Sequence, residues 1–236
     1  MARKPRYAPG GIAYHVMNRG SGNLALFDDD GDYAAFERVL AEAVEREPSV
    51  RLCAYCLMPN HFHLVLWPRG DGTLSRFMQW LTMTHAQRWH AHRHTGGRGH
   101  LYQSRFRSFP IQRDEHFLSV CRYVERNPLR AKRVERAQDW RWSSMWARSV
   151  GDGAITQEQL AAWPVERPAD WTARVNRPQS QEELAALRLC RDRGRPYGDA
   201  RWTAVTADRL GIESSLRHPG RPRKSPERQA TAKNPR

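Results

Sequence analysis

The sequence lacks the features that define several large protein classes. Its 236 residues contain only four cysteines, too few for the disulfide framework of a small secreted domain. No apolar run approaches the roughly 20 residues of a membrane-spanning helix, and the first residues lack the apolar core of a signal peptide. These absences predict a cytoplasmic protein with reduced cysteines and no membrane partner.

Acidic residues are also scarce relative to basic ones. The chain has 39 Lys and Arg against 25 Asp and Glu, a net charge of +14 and a pI near 10.5. Residues 188–236 carry +8 of that charge. Such an excess predicts the phosphate backbone of a nucleic acid as the partner, and with it a nucleoid-associated protein. The alternative partner is an anionic membrane surface.

Apolar periodicity predicts a strand, a helix, two strands, a helix, a strand and a helix. The predicted ranges are 11–19, 33–47, 50–58, 61–67, a helix from 73, 101–111 and a helix from 114. This order fits an α+β fold of the ferredoxin-like type, with a single antiparallel sheet and helices packed on one face. We assign this domain to 1–148. Residues 149–236 form a basic C-terminal extension with helices at 181–193 and 202–210 and a disordered end.

Cys53 and Cys56 form a Cys-x-x-Cys pair that suggests a zinc site. The pair falls inside a predicted strand, where a spacing of three places the two side chains on opposite faces. The other cysteines, Cys121 and Cys190, fall in predicted helices without a second pair beside them. We interpret all four as buried packing residues, with zinc as the alternative.

His61 and His63 alternate with Phe62 on a short predicted strand, so both imidazoles face the same way. Two neighbouring imidazoles on a rigid strand are suitable metal ligands. The alternative is a solvated strand face that carries two polar residues.

The helix after Asp114 carries Tyr123 and, one turn later on the same face, Asn127. A tyrosine attacks a phosphate only when neighbours or a metal activate the reaction. The alternatives are a core tyrosine at position 123 and a helix N-cap at Asn127, just before Pro128.

Taken together, the motifs resemble the single-tyrosine HUH transposases, and most closely the REP-associated tyrosine transposases. The resemblance covers about residues 8–148 and is looser in the extension, at 194–199 and 220–224. The matching segments are Tyr14–Gly20, Met58–His63, Tyr102–Phe106, Tyr123–Ala131 and Trp142–Ser144.

This resemblance implies a role for each matching residue. His61 and His63 would hold Mg²⁺ or Mn²⁺, with Asn127 as third ligand in the position where many insertion-sequence relatives have Gln. Tyr123 would be the nucleophile that forms a 5′-phosphotyrosine link and frees a 3′-hydroxyl. No nucleotide cofactor is implied, since the phosphotyrosine conserves the energy for rejoining.

The implied substrate is single-stranded DNA that carries a palindromic hairpin. Cations would follow the backbone and aromatic side chains would stack on unpaired bases. We also expect an Arg-Pro-Arg segment of the tail to lie in a minor groove. The predicted DNA-binding residues are His15, Arg19, Tyr102, Arg105, Arg107, Arg122, Arg126, Arg130, Arg221, Arg223 and Lys224. For His15 the alternative is a core histidine, and for each arginine a solvated surface charge.

Two other functions fit the same residues. One is a domesticated repeat-binding protein without chemistry, and the other is a metal-dependent nuclease in which water attacks. The resemblance implies a monomer, while transposases of the wider family dimerise and share the tyrosine between subunits.

Overall fold

The computed structural model describes residues 8–97 and 99–217. Its sheet has four antiparallel strands in the order β2-β3-β1-β4. This arrangement confirms the α+β, ferredoxin-like prediction. The strands are β1 (Ala13–Arg19), β2 (Val50–Met58), β3 (His61–Pro68) and β4 (Arg107–Ile111).

Eight helices accompany the sheet in the described residues. Aspartate side chains cap three of them: Asp29 accepts a hydrogen bond from Asp32 N, Asp114 accepts one from His116 N, and Asp199 accepts one from Trp202 N. None of the described helices is long and apolar enough to cross a membrane. The helices are α1 (Asp30–Arg46), α2 (Thr73–His92), α3 (Glu115–Glu125), α4 (Asn127–Arg130), α5 (Ser144–Ser149), α6 (Trp171–Asn176), α7 (Gln181–Arg193) and α8 (Ala200–Leu210).

Helices lie on both faces of the sheet. The prediction of helices on a single face describes α1 and α2 but not α3. Those two helices pack on Leu64 and Leu66, while α3 packs on Val65 and Cys56 from the other side. Apolar residues on both sides of β2 and β3 require cover on both sides. One layer of helices would leave half of this apolar surface in water.

The two cysteines of β2 lie on the same side of the sheet, contrary to the prediction. The pairing of β2 with β3 shifts by one residue between Leu52 and Ala54, which places Cys53 and Cys56 in the same core. Such a shift interrupts the strict alternation of side chains. All four cysteines are free and buried.

The extension shares a core with the domain it follows. Trp171 of α6 and Leu187 of α7 are each 1% exposed and belong to the same cluster as Phe117 of α3. Within the described residues, α6 and α7 therefore cover the second face of the sheet instead of building a separate core.

The fourth strand is shorter than predicted, because the chain leaves the sheet before Arg107. Gln103 N still bonds to Arg19 O at 3.0 Å, but residues 103–105 are exposed. This exposed loop forms one wall of a cleft described below.

Candidate active site

His61 and His63 lie on the face of β3 that is turned toward α3. Strand pairing places Met17 opposite His63 and Arg19 opposite His61. The two rings are nearly perpendicular, with centroids 5.0 Å apart. The predicted common orientation of the two imidazoles is present.

Each of these histidines has a hydrogen-bond partner at Nδ1. His61 Nδ1 lies 2.7 Å from Asn60 Oδ1, and His63 Nδ1 lies 2.8 Å from Nε2 of His15. Such contacts fix ring orientation and leave Nε2 of each histidine available for a metal.

Burial lowers the pKa of His61 to about 4, and burial followed by the two neighbouring histidines lowers the pKa of His63 well below its usual value. Both rings are therefore neutral near pH 7. A neutral imidazole has the lone pair that a metal needs.

Tyr123 reaches the same site from α3. Its ring centroid lies 5.8 Å from that of His63 and 6.2 Å from that of His15. Its side chain is only 3% exposed. The capped start of α3 and the buried positions Phe117 and Val120 fix the rotation of this helix over the sheet.

Asn127 is 5% exposed and begins α4, one helical turn after Tyr123. Its Oδ1 accepts a hydrogen bond from Arg130 Nη2 at 3.0 Å, while its Nδ2 has no hydrogen-bond partner. The cap position of α4 belongs to Arg126, so the helix N-cap interpretation of Asn127 does not hold.

Two imidazole nitrogens and one amide oxygen are kinds of donor atom that bind a divalent ion. His61 Nε2 and His63 Nε2 are the nitrogens, and Asn127 Oδ1 is the oxygen that the guanidinium of Arg130 engages. The described residues contain no cluster of three His, Cys, Asp or Glu side chains suited to a metal. A site of two histidines and an amide is not a cluster of this kind, because its third member is an asparagine.

Two guanidinium groups adjoin Tyr123. Arg130 Cζ lies 4.3 Å from the centroid of its ring. The pKa of Arg191 is raised, first by its hydrogen bond with Asp192 and also by the charge and hydrogen bonding of Tyr123. The site thus brings together a tyrosine, two neutral histidines and two cations.

Residues 10–127 match the family described as transposase, IS200-like. The chain belongs to this family. The match covers half of the chain, includes His61, His63 and Tyr123, and ends at Asn127. None of the curated proteins matches the chain.

Among solved structures, this transposase is similar to a REP-associated tyrosine transposase bound to a REP hairpin. The identity is 20%, the alignment covers 70% of this chain and 94% of the other, and the TM-score is 0.50. At that identity the likeness confirms the fold. A protein from Deinococcus radiodurans R1 described as a transposase is 18% identical, with 53% and 96% of the chains covered and a TM-score of 0.33.

Three of the predicted DNA-binding arginines of the transposase border one cleft. Arg105 and Arg107 line a space of about 610 Å³ between the exposed loop before β4 and the ends of α7 and α8. Arg19 lies at an adjoining smaller opening, which Arg191 shares with the larger one. The smaller opening is lined by Met17 and Arg19, which pair with His63 and His61 on the neighbouring strand.

Two other arginines that were predicted to bind DNA form hydrogen bonds within the protein. Arg122 donates to the carbonyl oxygens of Arg177 and Pro178, and Arg126 donates to those of Val175 and Asn176. These oxygens are at the C-terminal end of α6, where cations are favoured. Arg122 and Arg126 therefore attach α6 to α3, and their contact with DNA stays a prediction.

His15 and Tyr102 also contact other side chains inside the protein. His15 is 1% exposed and stacks on Phe109, so it supports His63 from behind, as its core-histidine alternative expects. The hydroxyl of Tyr102 lies 2.6 Å from Nδ1 of buried His85 on the opposite face of the sheet. For both residues, contact with DNA stays a prediction.

The remaining predicted DNA-binding residues are Arg130 and three residues near the end of the chain. Arg130 is half-buried and lies on Tyr123, which keeps it at the site. Arg221, Arg223 and Lys224 lie outside the described residues, and their contact with DNA stays a prediction.

Sequence reasoning missed two residues at this site, Arg191 and Glu125. Glu125 is fully buried and accepts hydrogen bonds from Ser144 Oγ at 2.6 Å and Trp171 Nε1 at 2.7 Å. Burial raises its pKa, and these two hydrogen bonds oppose the rise. The available signal was its position two residues after Tyr123 inside an apolar helix face, where a carboxylate needs partners.

Proposed function

We propose that this transposase is a metal-dependent single-stranded DNA endonuclease and transesterase of the REP-associated type. It would nick and rejoin DNA beside palindromic hairpins through a 5′-phosphotyrosine intermediate. The observation that carries the proposal is the meeting of Tyr123 with His61 and His63 on one face of the sheet.

In the proposed step, Tyr123 Oη attacks the scissile phosphorus. The new bond joins Oη to phosphorus and the bond from phosphorus to the 3′-oxygen breaks. The phenolic proton passes to water, and the leaving 3′-oxygen takes a proton from water. Rejoining is the reverse reaction with a second 3′-hydroxyl.

His61, His63 and Asn127 would hold Mg²⁺ or Mn²⁺, which when bound supplies positive charge at the phosphate oxygens. His15 holds the ring of His63 in place through the 2.8 Å contact. Arg130 keeps a cation against Tyr123. Asn127 Oδ1 accepts one hydrogen bond from Arg130, and its second lone pair would be the one offered to the ion.

The cleft lined by Arg19, Arg105 and Arg107 supports a single DNA strand as substrate. Cations along a cleft neutralise successive phosphates. The neighbouring structure was solved with a REP hairpin, which makes such a hairpin the first substrate to test.

The site also supports a monomer. Tyr123, His61 and His63 meet within one chain, so α3 does not need to be exchanged between subunits. Light scattering of the protein with hairpin DNA tests this: one protein per hairpin is expected, and a two-to-two complex contradicts it.

A repeat-binding protein without cleavage is the second candidate. The observation that favours it is the closed state of the site, in which Tyr123 is 3% exposed and Arg130 engages Asn127 Oδ1. Binding of DNA in the cleft does not require that the site open.

A denaturing gel with labelled hairpin DNA and Mn²⁺ or Mg²⁺ separates the candidates. We expect a shifted, protease-sensitive band that disappears in Tyr123→Phe and His63→Ala. The matched controls are Tyr197→Phe and His92→Ala. Tyr197 is a half-buried tyrosine outside the set of His61, His63 and Tyr123, and His92 is an exposed histidine. Cleavage without an adduct in Tyr123→Phe would mean that water attacks, and tight binding without cleavage would favour the repeat-binding protein.

A further inference from the structure

The C-terminal extension places an arginine at the nucleophile. Leu184, Leu187 and Arg191 follow the spacing of three and four that defines one face of α7. The two leucines are buried in the core of the sheet's second face. Arg191 therefore continues an apolar stripe at a position where burial of a charge must be compensated.

Asp192 holds the guanidinium in a fixed plane. Its two carboxylate oxygens lie 2.9 Å from Nε and 3.1 Å from Nη2 of Arg191. This forked contact uses two of the five N–H donors of arginine and leaves three for other partners. A second contact, from Arg107 Nη1 to Asp192 Oδ1 at 3.5 Å, links the end of α7 to β4.

Arg191 lies beside the strand residues that pair with the two histidines. It shares one opening with Met17 and Arg19, whose partners on β3 are His63 and His61. Tyr123 contributes to the raised pKa of Arg191, after the hydrogen bond with Asp192, and the positive charge of Arg191 lowers the pKa of His15, after burial. Arg130 contacts the same tyrosine ring from α4. Tyr123 is thus shared by cations from two helices.

Arg191 also borders the route that DNA would take. It lines both openings of the cleft, one with Arg19 and Arg107 and the other with Arg105. A phosphate bound in either opening therefore lies beside this guanidinium.

We propose that Arg191 is a catalytic residue, contributed by the extension, that binds a non-bridging oxygen of the scissile phosphate while Tyr123 attacks. This role rests on the proposed function. Arg191 forms no covalent bond and transfers no proton; it stabilises the negative charge that builds up as the bond from Oη to phosphorus forms. The 1–148 region would then lack one of its own catalytic groups.

The test is the single-turnover rate of adduct formation at saturating hairpin DNA, with Mn²⁺, for Arg191→Ala and Arg191→Lys. Arg201→Ala is the control, since it removes one exposed charge from α8. We expect Arg191→Ala to slow the reaction by about 100-fold or more, as for other donors to a developing oxyanion. Lysine should restore part of the rate because it keeps the charge without the fork.

Hairpin affinity, measured by fluorescence anisotropy without metal, distinguishes chemistry from binding. Arg191→Ala should weaken binding by less than about tenfold, as for the loss of one phosphate contact among several, and Arg201→Ala should leave it unchanged. Thermal unfolding checks that both variants fold. Equal rates for the two variants would overturn the proposal, and a faster Arg191→Ala would show that α7 blocks the site. An inert wild type would remove the proposed function as well, whereas an active wild type with an unimpaired Arg191→Ala removes only the role of Arg191.

Discussion

The two faces of the sheet are built from the same strands but treat buried polar groups differently. On the α1 and α2 face, His85 has a partner in Tyr102, and Tyr55 has one in Glu37. On the α3 face, His15 Nδ1, Asn127 Nδ2 and Arg130 Nη1 are buried without a hydrogen-bond partner. In the described residues, no side chain of α1 or α2 has a buried nitrogen or oxygen atom without a hydrogen-bond partner.

Unpartnered buried polar atoms are costly and uncommon in folded proteins. Three of the seven such atoms in the described residues belong to side chains around Tyr123, where a further group would find unpaired partners. The opposite face, with its polar atoms satisfied, serves stability. The predictions below test this division of labour.

The largest difference is expected between two buried histidines, His63 and His85. His63→Ala removes a proposed metal ligand, so adduct formation should fall by more than about 100-fold and Mn²⁺ binding should be lost. His85→Ala should leave Mn²⁺ binding intact and lower the free energy of unfolding by about 1–3 kcal/mol, because the hydroxyl of Tyr102 loses its partner.

Calorimetry with Mn²⁺ and urea unfolding of the two variants provide the measurements. Loss of Mn²⁺ binding in both variants, or in neither, would contradict the assignment of metal binding to the α3 face.

A smaller effect is expected at His15, which supports His63 without reaching the metal. His15→Gln should weaken Mn²⁺ binding by about 10–100-fold, as is usual for residues that orient a ligand. The fold should persist, and Mn²⁺ titration by electron paramagnetic resonance measures the free ion directly. His116→Gln is the matched control because His116 contacts Asp114 and Tyr197. An affinity equal to that of the control would show that His63 is oriented without His15.

The smallest effects separate an arginine of the cleft from an arginine of the core. Arg19→Ala should reduce the slope of log affinity against log salt by about one and leave stability unchanged. Arg126→Ala should leave that slope unchanged and cost about 1–2 kcal/mol of stability, because two carbonyl oxygens of α6 lose a donor. A smaller salt slope with unchanged stability for Arg126→Ala would show that Arg126 contacts DNA.

Local signals were sufficient for much of this fold. Pro59 and Asn60 mark the turn between β2 and β3, and the predicted range of α7, 181–193, agrees with the structure. The His61 and His63 pair was also predictable, because alternation along a strand fixes their common face.

Sequence reasoning fell short where a partner is distant in sequence. The internal contacts of Arg122 and Arg126 were not predictable, because the carbonyl groups that they bind lie about fifty residues later, at the end of α6. Cys53 and Cys56 share a face only because of a shift in strand pairing, which periodicity does not reveal. Arg191 was missed for the same reason, since nothing near it in the sequence indicates Tyr123.

The two-residue turn at Pro59 and Asn60 sets more than the direction of the chain. It fixes whether odd or even positions of β3 face α3. A slip of one residue in this hairpin would turn His61 and His63 into the apolar core and present Phe62 to the DNA. Loop insertions of a single residue at this turn should therefore be absent from active relatives, whereas changes in the length of the loop before β4 leave that parity untouched.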